Sequence, residues 1–356
     1  MVQSDRPAAN AFVARARKIY NPIGFSKGYN FVLWFIFLGA LLGFTLARLQ
    51  YLDIWGVFCG DKGPSSALPG ECFYYTRPGP DRIGIILHLG CILPASLLAC
   101  LQFVPAVRHR AIMIHRVNGW LVVLLSVVAT VGAFLIARNT VGGGLDVQMG
   151  IGAIGIMFVA SLFLAVVNVK RLQIEQHRAW MLRAWFYAGT IVTMRIIMIL
   201  AATVISSVGG YYHAQPCDKL EYMFKSANAT VGLYLECAGY FSGQSPGQQA
   251  AVAANLGGNV AEVASVFSAT FGPAFWLAFA LHAVGIEIYL HLTPAEAERL
   301  RNVSYQRQVE AGMKHPGRAG LTADRLGDAK IWEPKQDDKR ADLFGDSESH
   351  LQRPLH

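Results

Sequence analysis

Long apolar stretches separated by short polar segments occupy most of the chain. A helix needs roughly 20 apolar residues to cross a bilayer, whereas a buried helix of a soluble protein seldom needs more than about 14 in a row. Six stretches are long enough to cross. We predict six spans, with ends placed to within about four residues: 29–49, 83–104, 115–137, 149–169, 180–207 and 266–290. Because this number is even, both chain ends lie on the same side of the membrane.

The polar segments between and beyond the spans predict the domain organisation. Residues 1–28 form a cytosolic N-terminal segment, and residues 29–292 form a transmembrane domain with outer loops at about 50–81 and 208–262. Residues 293–356 are rich in Glu, Arg, Gln, Asp and Lys, which is typical of a polar, largely disordered cytosolic tail. The predicted fold class is an all-α polytopic membrane helix bundle of about six transmembrane helices.

The composition supports a membrane protein and changes how the basic residues are interpreted. Hydrophobic residues make up 53% of the chain and charged residues 15%, with a mean hydropathy of +0.35, which excludes an ordinary soluble domain. The net charge of +8 does not predict nucleic-acid binding, because the Lys and Arg residues lie in short loops and tails that orient the helices. Lys and Arg are denser in the segments that share a side of the membrane with the N-terminus than in the segments on the other side. We therefore predict that both termini are cytosolic. The expected partner is the lipid bilayer of the endomembrane system or the plasma membrane.

The two long outer loops contain residues that an oxidising compartment modifies. Four of the six cysteines are candidates for two disulfides there, within each loop or between the loops: Cys59, Cys72, Cys217 and Cys237. The sequence leaves their pairing open. Asn228-Ala-Thr230 is a glycosylation acceptor triplet in the second outer loop, whereas the triplet that starts at Asn302 lies on the cytosolic side and stays unused.

Ionisable side chains inside the spans are candidate functional residues, because such groups are costly in hydrocarbon and by default face the bundle interior. His88 lies about 9 Å into the second span at 1.5 Å per residue. His115 and His177, each followed by an arginine, open the third and fifth spans at similar depth. Arg195 lies near the middle of the fifth span and needs a partner, while His282 lies towards the inner end of the last span. The alternative role of all five is structural, as helix contacts or interfacial anchors.

Acidic residues are scarce in the spans. Between Arg82 and Ile174 the only acid is Asp146, in a short loop, and there is none between His177 and Ser207. Proton pumps and secondary transporters usually carry an acid at mid-depth, and acid-initiated cyclases need a carboxylic acid that donates the proton. The sequence therefore argues against these classes.

Two glycine-rich segments predict packing and a turn instead of phosphate binding. Gly150-x-Gly152-x-x-Gly155 lies inside a span with no strand before it, so close helix packing explains it better than a dinucleotide site. Gly142-Gly143-Gly144 is not followed by the Lys-Ser/Thr of a phosphate loop and predicts a tight outer turn.

An ordered set of short motifs runs from the second to the fifth span. It comprises His88 with Pro94, Gln102-Phe103, Arg110 with His115-Arg116-x-x-Gly119, His177-Arg178-x-Trp180-Met181-x-Arg183, and Arg195. On these residues the segment resembles an uncharacterised family of multipass membrane proteins, the domain of unknown function 2306; Trp120 stands where an arginine is expected. The resemblance implies the architecture and no activity. The long loops and tail resemble a fungal-type member, which implies a place in secondary metabolism.

The first function compatible with these residues is a transmembrane redox protein, an oxidoreductase with b-type haem in a four-helix bundle of the second to fifth spans. A looser resemblance to cytochrome b561-type bundles supports it. His115 and His177 would be the inner axial pair that binds the metal, and His88 an outer ligand without an obvious partner. Arg195 or Arg183 would hold a haem propionate.

Two further functions need no haem. One is a membrane-embedded cyclase or isomerase that acts on a lipophilic small molecule in a biosynthetic pathway. In it His88 and His177 would be catalytic acids or bases, and Arg195 would bind an oxyanion or carboxylate. The other is a non-enzymatic transporter or scaffold, in which the same side chains only secure helix contacts.

Overall fold

Six long apolar helices dominate the structure. The computed structural model describes residues 7–60, 67–317, 320 and 322–334. Of the described residues 74% are helical, and among them six helices are long and apolar enough to cross a membrane. They are α2 (Gly28–Leu46), α4 (Pro80–Gln102), α6 (Ile112–Ile136), α7 (Leu145–Lys170), α8 (Ile174–Val208) and α12 (Val260–His291). Each overlaps one of the six predicted spans over nearly its whole length, so the predicted fold class is confirmed.

Shorter elements connect and flank these helices. The helices are α1 (Ala11–Ile23), α3 (Cys72–Tyr75), α5 (Pro105–Arg110), α9 (Cys217–Phe224), α10 (Ala227–Leu233), α11 (Ala238–Phe241), α13 (Pro294–Glu310) and α14 (Ala323–Leu326). The strands β1 (Tyr212–Pro216) and β2 (Gln249–Ala253) pair antiparallel, with Tyr212 opposite Ala253. This two-stranded sheet, which the sequence does not predict, lies in the second outer loop.

The contacts divide the chain into two compact units. The larger unit comprises Met1–Val159 and Ala184–Val284, and the smaller unit comprises Ala160–Arg183 and Gly285–His356. In the larger unit the segments 47–60, 67–79, 137–144 and 209–259 lie at one end of the helices, which we call the loop end. The loop end contains both segments that are predicted to lie outside.

Helices α4 and α6 approach each other closely in the larger unit because glycines face each other across the contact. A Cβ atom on Gly132 would lie 2.6 Å from the carbonyl oxygen of Gly84 and 2.6 Å from the amide nitrogen of His88. The predicted packing role of the other glycine motif is confirmed at two positions, since Gly150 faces the ring of Phe275 and Gly155 the ring of Phe134. Small residues thus allow apolar helices to pack by van der Waals contact.

An apolar core at the loop end joins the α6–α7 turn to helices α7, α8 and α12. Its buried members are Val141, Val147, Met194, Met198, Phe271, Ala274, Phe275 and Ala278. Leu68, from the first outer loop, packs against this core. Large apolar side chains also point away from the protein, such as Phe35 on α2 and Leu124 on α6, which are 65% and 61% exposed. Such exposure is expected where lipid covers the helices.

Both predicted disulfides are present, and each closes within its own loop. Cys59 pairs with Cys72, and Cys217 pairs with Cys237. The first disulfide packs with Ile85 of α4 and Ile136 of α6. The second packs with Val252 of β2 and Ala261 of α12. Each disulfide therefore fixes one outer loop against the ends of membrane helices.

In the smaller unit the C-terminal segment begins with the helix α13. Ser304 of α13 is buried; its hydroxyl donates to the carboxylate of Glu175 and accepts from the amide of Ile174 at 2.8 Å. Arg301 forms an ion pair with Asp324 at 2.6 Å, and the indole of Trp332 donates to the carboxylate of Glu298 at 3.0 Å. These contacts join α13 to the start of α8, to α14 and to Trp332. The rest of the predicted tail, 335–356, lies outside the described residues.

Candidate functional site

A carboxylate from the first outer loop marks the candidate site. Glu71 follows Gly70, whose φ of +80° suits glycine, and precedes the disulfide-bonded Cys72. Its carboxylate accepts a hydrogen bond from the amide of Leu68 at 3.0 Å and a second from the amide of Val141. The loop and the α6–α7 turn therefore meet at this side chain.

The α6–α7 turn has the tight geometry that the three glycines predict. Gly142 and Gly143 have φ angles of +84° and +51°. A Cβ atom on Gly142 would lie 2.9 Å from the carbonyl oxygen of Ser268, so a larger residue is excluded there for reasons of space as well. This turn positions the Val141 amide that binds Glu71.

Two cations from different elements act on the carboxylate of Glu71. Arg195, from α8, is half-buried, and its guanidinium carbon lies 5.5 Å from the centroid of the Phe271 ring. Lys219, from α9, is only 9% exposed. Its ammonium lies 5.8 Å from the centroid of the Tyr74 ring. The positive charges of both residues interact with Glu71.

The stem of Lys219 packs against Gly70, the residue before Glu71, because Gly70 has no side chain. A Cβ atom on Gly70 would lie 2.5 Å from Cε of Lys219. Glycine is therefore favoured at position 70 for two reasons: it adopts the positive φ, and it leaves room for the apolar stem of Lys219.

Tyr75 completes a group that we call the Glu71 cluster: Glu71, Tyr75, Arg195 and Lys219. The Tyr75 side chain is 1% exposed, and its hydroxyl is hydrogen-bonded to Thr140. Its ionisation is coupled to the charges of Glu71 and Arg195. Arg48 lies at the edge of the cluster, where its own charge is repelled by that of Arg195.

Burial has the largest effect on the pKa values of Glu71 and Lys219, the two charged residues that the outer loops contribute to the cluster. It raises the pKa of the Glu71 carboxyl, and the charge of Arg195, the amide of Leu68 and the charge of Lys219 oppose it. Burial also lowers the pKa of the Lys219 ammonium, against the attraction of Glu71. Glu71 thus holds a proton to a higher pH than an ordinary glutamate, which is the property of a general acid.

The cluster adjoins the buried apolar core of the loop end. Phe271, which faces Arg195, belongs to the loop-end core, as does Val141, and Leu68 packs on the same core. The polar groups of the cluster therefore lie in an apolar environment, in which electrostatic interactions are stronger than in water.

The predicted histidines of the spans are oriented by backbone carbonyls. Nδ1 of His88 lies 3.0 Å from the carbonyl oxygen of Ala129, and Nδ1 of His177 lies 2.9 Å from that of Ala165. His282 has both ring nitrogens engaged, Nδ1 with the Phe186 carbonyl at 2.7 Å and Nε2 with the Thr193 hydroxyl at 2.8 Å. None of these hydrogen bonds connects a histidine to the Glu71 cluster.

The motif around His115 holds α4 against α6. The Gln102 amide donates to the His115 carbonyl at 2.7 Å, and the Asn118 amide donates to the Leu98 carbonyl at 2.8 Å. A Cβ atom on Gly119 would lie 2.5 Å from the amide nitrogen of Gln102. The Gln102 and Gly119 positions of the motif therefore secure a helix contact.

Arg183 forms an ion pair with Glu287, an acidic residue of the same unit. Its guanidinium binds both carboxylate oxygens of Glu287 at 2.6 and 2.8 Å and lies 4.6 Å from the Trp180 ring centroid. The neighbouring Arg178 donates to the hydroxyl of Tyr289 at 2.9 Å. The predicted role of Arg183 at a haem propionate would need this ion pair to open.

Haem binding stays a prediction. Across residues 7–60, 67–317, 320 and 322–334, no group of three or more His, Cys, Asp and Glu side chains is placed to hold a metal ion. A haem needs only two axial ligands, so this observation does not test the pair His115 and His177.

Sequence reasoning identified Arg195 and missed Glu71, Tyr75 and Lys219. It considered acids inside the spans, whereas this acid enters from a loop. A signal was present in the sequence: Glu71 directly precedes Cys72, and Lys219 is two residues after Cys217. A disulfide restricts the backbone of the residues next to its cysteines. Charged residues beside the loop cysteines were therefore candidates for a functional site with a fixed geometry.

Comparisons with known proteins agree with the predicted resemblance. Residues 85–214 match the family described as "Predicted membrane protein (DUF2306)". The chain is also similar to "Ava biosynthesis cluster protein G" of Aspergillus versicolor, with 26% identity over 326 residues that cover 79% of this chain and 94% of that protein. No solved structure matches. The family match includes His88, His177 and Arg195, whereas Glu71 and Lys219 lie outside it.

Proposed function

We propose that this integral membrane protein is a haem-free enzyme that transfers protons on a lipophilic intermediate of a biosynthetic pathway, as a cyclase or isomerase. The observation that carries the proposal is the buried carboxyl of Glu71, which the amides of Leu68 and Val141 hold in place and whose pKa is raised by burial against the charges of Arg195 and Lys219. A protonated carboxyl next to a fixed cation can protonate one atom of a substrate and stabilise negative charge on another.

The reaction conserves atoms, as a cyclisation or isomerisation must. Glu71 donates its proton to a double bond or oxygen of the substrate, and its carboxylate forms beside Arg195 and Lys219. A proton lost from the rearranged product then returns to Glu71. The two cations stabilise the transient carboxylate, and Arg195 also polarises a substrate oxygen.

Acid-initiated chemistry is compatible with spans that contain few acidic residues, because the acid can come from a loop. The scarcity of acids in the spans argued against acid-initiated chemistry, but the acid of the Glu71 cluster comes from the loop between α2 and α4. The apolar side chains beside the cluster, Leu68, Val141 and Phe271, give it an apolar environment. The name of the relative from Aspergillus versicolor also associates a protein of this kind with a biosynthetic cluster.

Complementation of a producing strain tests the proposal. Deletion of the gene should remove one product and accumulate its precursor, and the intact gene should restore the product. Glu71→Gln and Arg195→Gln should restore little product at equal protein levels. The matched control is Glu236→Gln, which changes an exposed glutamate of the second outer loop and should restore the product fully. Normal production by the Glu71→Gln strain would exclude Glu71 as the acid.

A b-type haem is the second candidate, and the orientation of His177 favours it. Histidines that ligate a metal usually have the other ring nitrogen bound to a carbonyl or carboxylate, as Nδ1 of His177 is bound to the Ala165 carbonyl. Bound haem would supply one-electron chemistry. Purified protein should then show a Soret band that is lost in His177→Ala. A spectrum without that band rejects this candidate and leaves the first one intact.

A further inference from the structure

We propose that helix α1 lies in the surface of the membrane and binds the head groups of anionic phospholipids, with its apolar side in the lipid and its basic side among the head groups. The proposal concerns the end of the larger unit opposite the loop end, so it is independent of the Glu71 cluster. It is carried by the two sides of α1, by the attachment of α1 to α2 and α5, and by the distribution of charge in the larger unit.

Helix α1 has an apolar side that the described part of the protein leaves exposed. Phe12 and Ile19 lie two helical turns apart on one stripe of α1, and their exposed fractions are 78% and 63%. Phe35 of the next helix, α2, is 65% exposed in the same way, as expected where lipid covers a membrane span. We expect lipid to cover the apolar stripe of α1 as well.

Two basic residues border this stripe. Arg15 lies one turn after Phe12, Lys18 lies one turn after Arg15, and both are exposed. Among the described residues, no carboxylate oxygen lies within 4.0 Å of a side-chain nitrogen of either. Helix α1 itself contains no acidic residue. An exposed apolar side bordered by Lys and Arg is typical of helices that lie in the plane of the membrane interface.

Contacts with α2 and α5 hold α1 beside the ends of the membrane helices. Tyr20 is buried, and its ring stacks on that of Phe31, in the first turn of α2, at a centroid distance of 5.9 Å. Gly24 ends α1 with a φ of +106°, and a Cβ atom there would lie 2.9 Å from Cβ of Pro105 at the start of α5. The helix is therefore fixed where α2 enters the bilayer, at the level of the head groups.

The acidic and basic residues of the larger unit lie at opposite ends. Every acidic residue that the structure describes in this unit lies in the loop-end segments or in the first turn of α4, α7 or α12, which begin there. At the other end the exposed basic residues include Arg15, Lys18, Lys27, Arg110 and Arg116. Anionic head groups complement this charge and zwitterionic ones do not. Anionic lipids belong to the cytosolic leaflet, which agrees with the predicted cytosolic N-terminus.

The first test locates α1 in nanodiscs of the full-length protein, where both membrane faces are open to reagents. The discs contain phosphatidylcholine and phosphatidylserine, and a charged maleimide labels Phe12→Cys, Ile19→Cys or Ala14→Cys. Labelling of the wild type, through Cys91 and Cys100 of α4, is subtracted. Ala14 is the matched control, because it is exposed on the opposite side of α1. Phe12→Cys and Ile19→Cys should react at least about tenfold more slowly than Ala14→Cys, since lipid covers only the apolar side.

The second test measures the preference for anionic lipid. A fluorophore on Ala11→Cys, on the same side as Arg15 and Lys18, is quenched by trace spin-labelled phosphatidylserine or phosphatidylcholine, again with the wild-type signal subtracted. Phosphatidylserine should bind at least about fivefold more tightly. The double variant Arg15→Gln/Lys18→Gln should lose this preference, whereas Arg15→Lys should keep it. Lys225→Gln/Lys314→Gln removes two exposed lysines elsewhere and is the matched control, which should quench like the wild type.

Several outcomes would overturn the proposal. Equal labelling of Phe12→Cys, Ile19→Cys and Ala14→Cys would mean that α1 stands clear of the membrane. Equal quenching by the two lipids would mean apolar contact without recognition of charge, and an unchanged preference in Arg15→Gln/Lys18→Gln would place the anionic lipid elsewhere. Relief of the quenching by inorganic phosphate, but not by sodium chloride of the same ionic strength, would indicate a free-anion site. A lower melting temperature of the double variant in lipid-free detergent would show that the two cations act on folding.

Discussion

At the scale of single residues, the pKa of Glu71 is determined by effects that oppose each other. Burial favours the neutral carboxyl, whereas Arg195, Lys219 and the amides of Leu68 and Val141 favour the carboxylate. Burial is the largest of these effects, so the pKa of Glu71 is raised. A carboxylate that only bridged the two cations would have the opposite shift, and the sign is measurable.

The pH dependence of the protein's stability shows whether the pKa of Glu71 is raised or lowered in the folded protein. Because the pKa of Glu71 is higher in the folded than in the unfolded protein, Glu71 contributes stability below its unfolded pKa, and this contribution is lost as the pH rises through the folded pKa. Glu71→Gln has no titrating group at this position. The melting temperature of the wild type minus that of the variant should therefore fall as the pH rises. Thermal scans in detergent across the pH range measure it, and a difference that grows with pH would mean an ionised Glu71.

At the scale of elements, the α4–α6 contact depends on the absence of side chains at Gly84 and Gly132. The atoms that a Cβ on Gly132 would meet, the Gly84 carbonyl oxygen and the His88 amide nitrogen, belong to the backbone and cannot rotate away. The helices would have to separate, and the hydrogen bond from His88 to Ala129 would be disturbed with them.

We therefore predict that Gly132→Ala lowers the free energy of unfolding by about 1–3 kcal/mol, the usual cost of overpacking. Gly90→Ala is the matched control, because Gly90 lies on α4 and a Cβ atom added there would meet no atom within 4 Å. The control should be as stable as the wild type. Thermal or denaturant unfolding in detergent compares the two, and equal stability would show that α4 and α6 separate at little cost.

The two disulfides matter because of the residues beside them. Cys72 adjoins Glu71, and Cys217 is two residues from Lys219, so each disulfide fixes the segment that supplies one charge of the Glu71 cluster. Loss of either disulfide should therefore affect function as well as stability.

We expect the double variant Cys59→Ser/Cys72→Ser to lose about 3 kcal/mol of stability, the value for a closed loop of about 15 residues. It should also restore less product than the wild type in the complementation assay, because Glu71 is no longer held at the cluster. Cys91→Ala controls for loss of a thiol, since Cys91 forms no disulfide. Normal production at a normal protein level by the double variant would show that other contacts position Glu71.

At the scale of the whole molecule, the sequence predicted what depends on hydropathy. The six spans follow from runs of apolar residues, and the loop cysteines follow from the assignment of the loops to an oxidising side. The Glu71 cluster was not predictable in this way, because its members come from an outer loop, α3, α8 and α9, and tertiary structure alone brings them together. The sheet of β1 and β2 was missed because Tyr212–Pro216 and Gln249–Ala253 are short and separated by a long segment.

The orientation of the chain in the membrane is a further prediction from the distribution of charge, and the two glycosylation triplets test it. Asn228 lies exposed on α10 in the second outer loop, whereas the triplet at Asn302 lies on α13, where Ser304 is buried. With cytosolic termini only Asn228 reaches the lumenal glycosylation machinery. We therefore expect a glycosidase-sensitive mobility shift that Asn228→Gln removes and Asn302→Gln does not change.

A membrane-impermeant thiol reagent, applied to intact cells or to sealed vesicles with the lumenal face outward, gives an independent readout. It should label a Gln244→Cys variant, because Gln244 is exposed in the second outer loop. It should spare an Arg307→Cys variant until the membrane is opened. Arg307 is exposed on α13, so only the membrane can protect a thiol at that position from the reagent.

The two readouts together decide the orientation, because glycosylation reports the lumenal side and thiol labelling reports the side open to the medium. A glycan at Asn302, or labelling of Arg307→Cys before the membrane is opened, would place the termini on the opposite side. The Glu71 cluster would then face the cytosol, where thiols are kept reduced, and the disulfides that flank Glu71 and Lys219 would not persist there.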